Sequence, residues 1–162
     1  MKKRIASLLA ALALCLTLLP MAAFAEDAAP DAWDGTADTS WYVGHELDTE
    51  YHITTAEQLA GLAEVINKEN APVSFEGKTV YLDNDLDLAG HEWISIGNGL
   101  AQQNATQYDP DWYYSFNGTF DGQGHVIYNL YSHDSLFNKE RDCYMSGLFG
   151  QVFHGKVMNL GV

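Results

Sequence analysis

The chain has 162 residues, with 22 Asp and Glu against 8 Lys and Arg, and a formal net charge of −14. Such acidity repels phosphate backbones and anionic membrane surfaces, so nucleic acid and acidic lipid are excluded as partners. It favours solubility and leaves room for bound cations.

The first 25 residues read as a secretory signal peptide. Lys2-Lys3-Arg4 forms a basic start, Ala6 to Leu19 an apolar run broken by Pro20, and Ala23-Phe24-Ala25 a small-x-small cleavage site before Glu26-Asp27. The run is shorter than the ~20 apolar residues a membrane span needs. Leu14 stands before Cys15 where a lipid-anchoring signal wants a small residue. The expected location is extracellular or cell surface, without membrane insertion after cleavage. The signal holds three of the basic residues and no acidic one, which leaves a mature net charge of −17. Cys143 is then the only cysteine. No internal disulfide is possible, so stability must come from a core, a metal or repetition. Cys143 itself is either a small, partly buried residue or a thiol that pairs between chains.

Residues 26–50 read as a leader. Residues 26–40 are rich in Ala, Asp, Gly, Thr and Pro, a composition poor in core-forming side chains. Trp33 and the cluster Trp41-Tyr42-Val43 predict that part of the leader docks on an apolar surface.

One helix is predicted. Thr54 is a good N-cap, with Glu57 three residues on, as a capping box requires. Leu59, Leu62, Ala63 and Ile66 recur at helical spacing, and Asn67 ends the pattern. An amphipathic helix here can cover the open end of a stack of strands.

The remainder reads as strands punctuated by Gly and Asn. From Lys78 to Leu88 the alternation places Val80, Leu82, Leu86 and Leu88 on one face and Tyr81, Asp83, Asp85 and Asp87 on the other. Asn84 falls on the apolar face, where an inward Asn at a bend can bond the backbone. Trp93 to Gly97, Gly118 to Leu130, Gly147 to Gly150 and Lys156 to Val162 supply further strands. Residues 98–115 and 132–146 have no period and read as loops.

A phrase repeats across these strands. Phe75-Glu76-Gly77-Lys78, Phe116-Asn117-Gly118-Thr119 and Phe153-His154-Gly155-Lys156 each open an alternating run, and Asn129-Leu130 and Asn159-Leu160 close two of them. Repetition on this scale implies one unit stacked on copies of itself. The predicted fold is all-β: the start of a right-handed parallel β-helix over residues 51–162, capped by the helix. The alternative is a β-sandwich, for which Asn98-Gly99 and Asn117-Gly118 would be hairpin signals. A stack with a cap at one end only is expected to be marginally stable and to self-associate through its last strand.

Four stretches together resemble the N-terminal part of GLUG-motif bacterial surface proteins. They are Tyr51 to Ala63 (Tyr-x-Ile-x-Thr-Ala-Glu-Gln-Leu-Ala-x-Leu-Ala), Gly77 to Leu88 (Gly-Lys-Thr-Val-x-Leu-x-x-Asp-Leu-Asp-Leu), Phe116 to Leu130 and Gly147 to Gly161. The resemblance covers about residues 41–162. It implies a β-helix within a longer modular extracellular protein, often an adhesin, with further coils of the same chain. Some zinc peptidases that cleave IgA carry such repeats ahead of their catalytic domain.

Candidate chemistry is sparse. Asp83, Asp85 and Asp87, about 6.6–6.8 Å apart along a strand, form either a Ca²⁺ site or a solvated acidic face. An EF-hand is excluded, because Leu88 stands at position six and Ile94 at position twelve. His45-Glu46 and His91-Glu92 lack the second His of a zinc peptidase helix, with Thr49 and Ser95 in its place. Asp109, Asp111 and Asp121 are carboxylates without a nearby base. Tyr108, Trp112, Tyr113 and Tyr114, with Tyr131 nearby, either stack on sugar rings or fold back against the helix. No phosphate-binding loop, dinucleotide fingerprint, Cys-x-x-Cys or serine elbow occurs. The expected function is a non-catalytic surface or adhesion module with no resident cofactor, whose partner is a host or matrix glycan or protein. The alternative is the accessory region of a secreted polysaccharide-active enzyme or peptidase, with its active site beyond residue 162.

Overall fold

The computed structural model describes residues 29–68, 73–98, 115–132, 137–138, 143–144 and 146–162. Within them lie strands β1 (Glu50–Ile53), β2 (Thr79–Leu82), β3 (Leu86–Asp87), β4 (Thr119–Asp121), β5 (Ile127–Tyr128), β6 (Phe137–Asn138), β7 (Cys143–Tyr144) and β8 (Lys156–Met158). The single helix among the described residues is α1 (Ala56–Ile66). Two sheets are parallel, one in the order β1-β2-β4-β8 and one pairing β3 with β5. The described strands close no barrel.

The register of the larger sheet explains the alternation. Tyr51, Val80, Phe120 and Val157 stand opposite one another on four successive strands. The first three are buried, whereas Val157 on the edge strand is 38% exposed. Side chains of a parallel ladder share a face at each register position, so every internal strand covers the apolar residue of its neighbour. The repeated phrase lies at one end of these strands. Phe75 and Phe116 are fully buried with ring centroids 6.0 Å apart, and Tyr42 stacks on Phe75 at 5.6 Å. Asn117 does not mark a hairpin. It is buried, accepts the Phe75 N–H at 2.7 Å and donates to Ser74 Oγ at 2.9 Å. The glycine of the phrase is required because layers approach closely. A Cβ on Gly118 would stand 2.8 Å from the Phe75 carbonyl oxygen, and one on Gly155 2.9 Å from that of Gly118.

The helix forms one residue later than its sequence predicts. The N-cap is Thr55, whose hydroxyl accepts the Gln58 N–H at 3.3 Å. Gln58 Oε1 reaches back to the Thr54 N–H at 2.9 Å. Thr54 and Glu57 therefore do not form the box; Thr55 caps the helix, and Gln58 closes a variant of the box on the amide of the preceding Thr54. Leu59, Leu62 and Ile66 are buried as the spacing requires, each contributing about 1.5–3 kcal/mol. Asn67 is the C-cap, and its side chain ties the helix end to Ser95 O and Asn98 N, both at 2.9 Å.

Three further expectations change. The run from Lys78 to Leu88 is two strands, because the chain bends at Asp83-Asn84-Asp85 between β2 and β3. Asn84 does bond the backbone, donating to Thr54 O at 2.9 Å, but it is exposed at the bend rather than inward. Residues 132–146 are more than loop, since β6 and β7 pair antiparallel within them. The part of the leader described here docks as its tryptophans suggest. Trp33 and Tyr42 are buried, the Trp33 N–H donates to Asp87 O at 2.9 Å and the Asp38 N–H to Glu57 O at 2.8 Å.

Two outcomes check this packing. Phe116→Ala should destabilise the protein by about 3–5 kcal/mol, while Phe153→Ala, half-buried and stacked on His154, should cost far less; equal shifts in denaturant midpoint would contradict the layered register. Gly61→Ala should destabilise even though alanine is the better helix former, because its Cβ would overlap the Asp38 carbonyl. A raised melting temperature would show that the leader does not cross the helix there.

Candidate functional site

The chain bends after β2, and each aspartate of the Asp-x-Asp-x-Asp run is held by a residue distant in sequence. Asp83 faces His52 Nδ1 at 2.8 Å and accepts from Gln123 Nε2 at 2.6 Å. Asp85 faces His125 Nδ1 at 2.9 Å and accepts the Val126 N–H at 2.9 Å. Asp87 accepts the Ala89 N–H at 2.8 Å and Asn129 Nδ2 at 2.7 Å.

The next layer repeats the last arrangement. Asp121 accepts the Gln123 N–H and Asn159 Nδ2, each at 3.0 Å. In both layers a carboxylate at a strand end bonds the amide two residues on and an asparagine side chain from the following layer. Asn129 and Asn159 have φ of 55° and 54°, a left-handed conformation that asparagine adopts more readily than most residues. The two Asn-Leu pairs of the sequence are thus corner residues.

Between this corner, the start of α1 and the leader lies a groove of about 1140 Å³. Asp31, Glu57, Asn84, Asp85, Asp87, His125, Tyr128 and Asn129 contribute to its walls, and no Lys or Arg does among the described residues. Tyr128, 43% exposed, contributes a phenol ring to the groove.

The electrostatics favour the ionised form of Asp85, Asp87 and Asp121. Hydrogen bonds from Asn129 and then the Ala89 amide hold Asp87 below the usual carboxylate range. The Val126 amide and then His125 do the same for Asp85, and Asn159 and then the Gln123 amide for Asp121. Glycoside cleavage needs one carboxyl with a raised pKa to protonate the leaving group. Every shift on these carboxyls is downward. The groove can accept hydrogen bonds from hydroxyl groups, and the downward shifts at Asp85, Asp87 and Asp121 run against that acid role for these three.

Among the described residues no group of three or more His, Cys, Asp or Glu side chains could hold a metal ion. Asp83, Asp85 and Asp87 do not share one strand face, because the bend divides them. His45 pairs with Asp48 at 3.0 Å, Glu46 accepts the Gly44 N–H at 3.0 Å, and His91 meets the Trp33 ring edge-on. Tyr131 is half exposed. Tyr108, Asp109, Asp111, Trp112, Tyr113 and Tyr114 lie outside the described residues. Sequence reading passed over His52, Gln123, His125, Tyr128 and Asn129 as site residues. The phrase Asp121-Gly122-Gln123-Gly124-His125 signalled two of them and the recurring Asn129-Leu130 pair a third.

Compared with family models, curated proteins and solved structures, the chain matches none.

The corner makes stability depend on pH. The folded pKa values of Asp85, Asp87 and Asp121 lie below the ordinary 3.8. Their stabilisation is complete above that ordinary value and is lost as pH falls through the lowered ones. The melting temperature should hold steady from pH 7 to about 5 and fall below about 4. Asn129→Ala and Asn159→Ala should shallow that fall. A melt at pH 3 equal to that at pH 7 would show that the corner contributes nothing.

Proposed function

We propose that this chain is a non-catalytic extracellular module, the helix-capped start of a right-handed parallel β-helix, which binds a neutral glycan in the corner groove. The observation that carries the reading is the groove's lining: Asp85 and Asp87 held ionised, with Asn84 and Asn129, around the exposed Tyr128, and no Lys or Arg among the described residues that line it. Planar acceptors and an aromatic face suit the hydroxyls and C–H faces of a sugar. The same charge disfavours sulfated, sialylated or uronic-acid glycans, which carry anions of their own.

The signal-like N-terminus, the repeated phrase and the resemblance to GLUG-motif surface proteins support an extracellular setting. The parallel register supports the β-helix, and the exposed Val157 edge of β8 is the face on which a further layer would stack. A Ca²⁺ ion near the aspartates remains compatible with this role, as do sugar contacts from Tyr108, Trp112, Tyr113 and Tyr114.

A glycan array probed with the whole chain tests the reading. Neutral glycans should be retained and anionic ones not. Tyr128→Ala should weaken binding by about two- to tenfold, in line with the ~0.5–1.5 kcal/mol of an aromatic contact, while Tyr128→Phe keeps most of it. Retention of anionic glycans alone, or release of reducing ends from any bound polysaccharide, would overturn it.

A further inference from the structure

His125 stands in the corner groove with its side chain 35% exposed. Its backbone is pinned on both sides. The N–H donates to Gly122 O at 2.8 Å, and the carbonyl accepts the Gly161 N–H at 3.0 Å. The ring is pinned as well, with Nδ1 2.9 Å from Asp85 Oδ1. Asp85 is held towards its ionised form, first by the Val126 amide and then by His125 itself. An ionised carboxylate only accepts hydrogen bonds. The proton of the neutral ring therefore sits on Nδ1, and Nε2 keeps its lone pair. Nε2 has no hydrogen-bond partner among the described residues and is not buried. Asp85 thus fixes one ring nitrogen of a groove residue as an open acceptor.

Two other parts of the lining complement that acceptor. The exposed Thr55 accepts the Gln58 N–H, and its own O–H has no partner among the described residues. Ala29, exposed, and Pro30, half-buried, give the leader side of the groove an apolar wall. A plain sugar hydroxyl satisfies a donor or an acceptor equally, because it can turn its hydrogen either way. An amide N–H can only donate. An acetamido group uses all three features, its N–H meeting an acceptor, its carbonyl a donor and its methyl an apolar wall. Granted the glycan-binding role proposed above, we infer that His125 selects N-acetylated hexosamines among neutral glycans, with Nε2 accepting the acetamido N–H.

Acid removes this acceptor. The imidazolium carries a proton on both nitrogens, and histidine is the side chain that changes charge between about pH 5 and 8. The ionisable groups that share the groove with it are Asp31 of the leader, Glu57 of α1, Asp85 at the bend, Asp87 of β3 and Tyr128 of β5. Asp83, at the same bend, is engaged by His52 and Gln123, and Asp121, on the turn before His125, by Gln123 and Asn159. Gly161, which binds the His125 carbonyl from the following layer, brings no ionisable side chain. A preference that depends on Nε2 should therefore disappear in mild acid, while the binding of hydroxyls persists.

Calorimetric titration of the whole chain with two β-1,4-linked tetramers, one of N-acetylglucosamine and one of glucose, tests this. At about pH 7.5 the acetylated tetramer should bind about two- to tenfold more tightly, the scale of one hydrogen bond. At about pH 5 the two affinities should converge. His125→Phe should bring them together at both pH values; Asp85 keeps its bond from the Val126 amide in that variant. Should the variant not fold, the pH comparison on the unaltered chain decides alone.

Equal affinity for both tetramers at pH 7.5 would overturn this role for His125 and leave glycan binding standing. A preference that survives at pH 5, or in His125→Phe, would place the acceptor elsewhere and overturn it too. Equal binding of N-acetylated pentaglycine would make the ligand a peptide amide and overturn the assignment to a sugar. Binding of neither tetramer would sink it together with the glycan role on which it rests.

Discussion

The structure depends on the close parallel approach of one layer to the next. Backbone hydrogen bonds hold β1, β2, β4 and β8 side by side, and the row Tyr51, Val80, Phe120 is sealed only because each strand has a neighbour. Burying that row stabilises by roughly 25 cal/mol per Å² of apolar area, and no single layer could bury it alone. The approach is possible where glycine stands beneath a neighbouring carbonyl, at Gly118 and Gly155. Val157, with no strand beyond it among the described residues, shows what the same position is like when uncovered. The helix answers the same need at the other end, with Leu59, Leu62 and Ile66 closing the first layer.

The polar groove follows from that stacking. A chain that climbs from layer to layer must turn at each strand end, and each turn leaves backbone amides without sheet partners. Asp87 and Asp121 accept those amides and are themselves held by Asn129 and Asn159. The residues that make the corner stable also line a recess with fixed acceptors. Structure and recognition share the same carboxylates, so the aspartates cannot be altered to test binding without altering the corner. Tyr128 bears on recognition more cleanly, because its ring is exposed.

Much of the fold was legible locally. Helical spacing located α1, alternation identified the buried row, and Trp33 and Tyr42 announced that the leader docks. The helix start shifted by one residue because Thr54 and Thr55 are equally good caps, as are Glu57 and Gln58 as their partners; the extended backbone at Thr55 decides between them. The bend at Asp83-Asn84-Asp85 showed only as Asn84 on the apolar face, since the alternation resumes after it. The site was less legible still. His52, Gln123 and Asn129 lie 31 to 42 residues from the aspartates they hold, and no local spacing records such a pairing. The recurrence of Asn-Leu and the phrase Asp121 to His125 hinted at the corner, and neither carried information about its partners.

The parallel register is the central claim, and disulfide trapping reads it directly. In a Cys143→Ser background, Thr79→Cys with Thr119→Cys places two thiols on register partners, whose Cα atoms in adjacent strands stand about 4.8 Å apart and within disulfide reach. Thr79→Cys with Asp121→Cys is offset by two residues, beyond the ~7 Å limit. Rapid oxidation of the first pair and none of the second is the predicted result. Cross-linking of the offset pair, or of neither, would contradict the layered account.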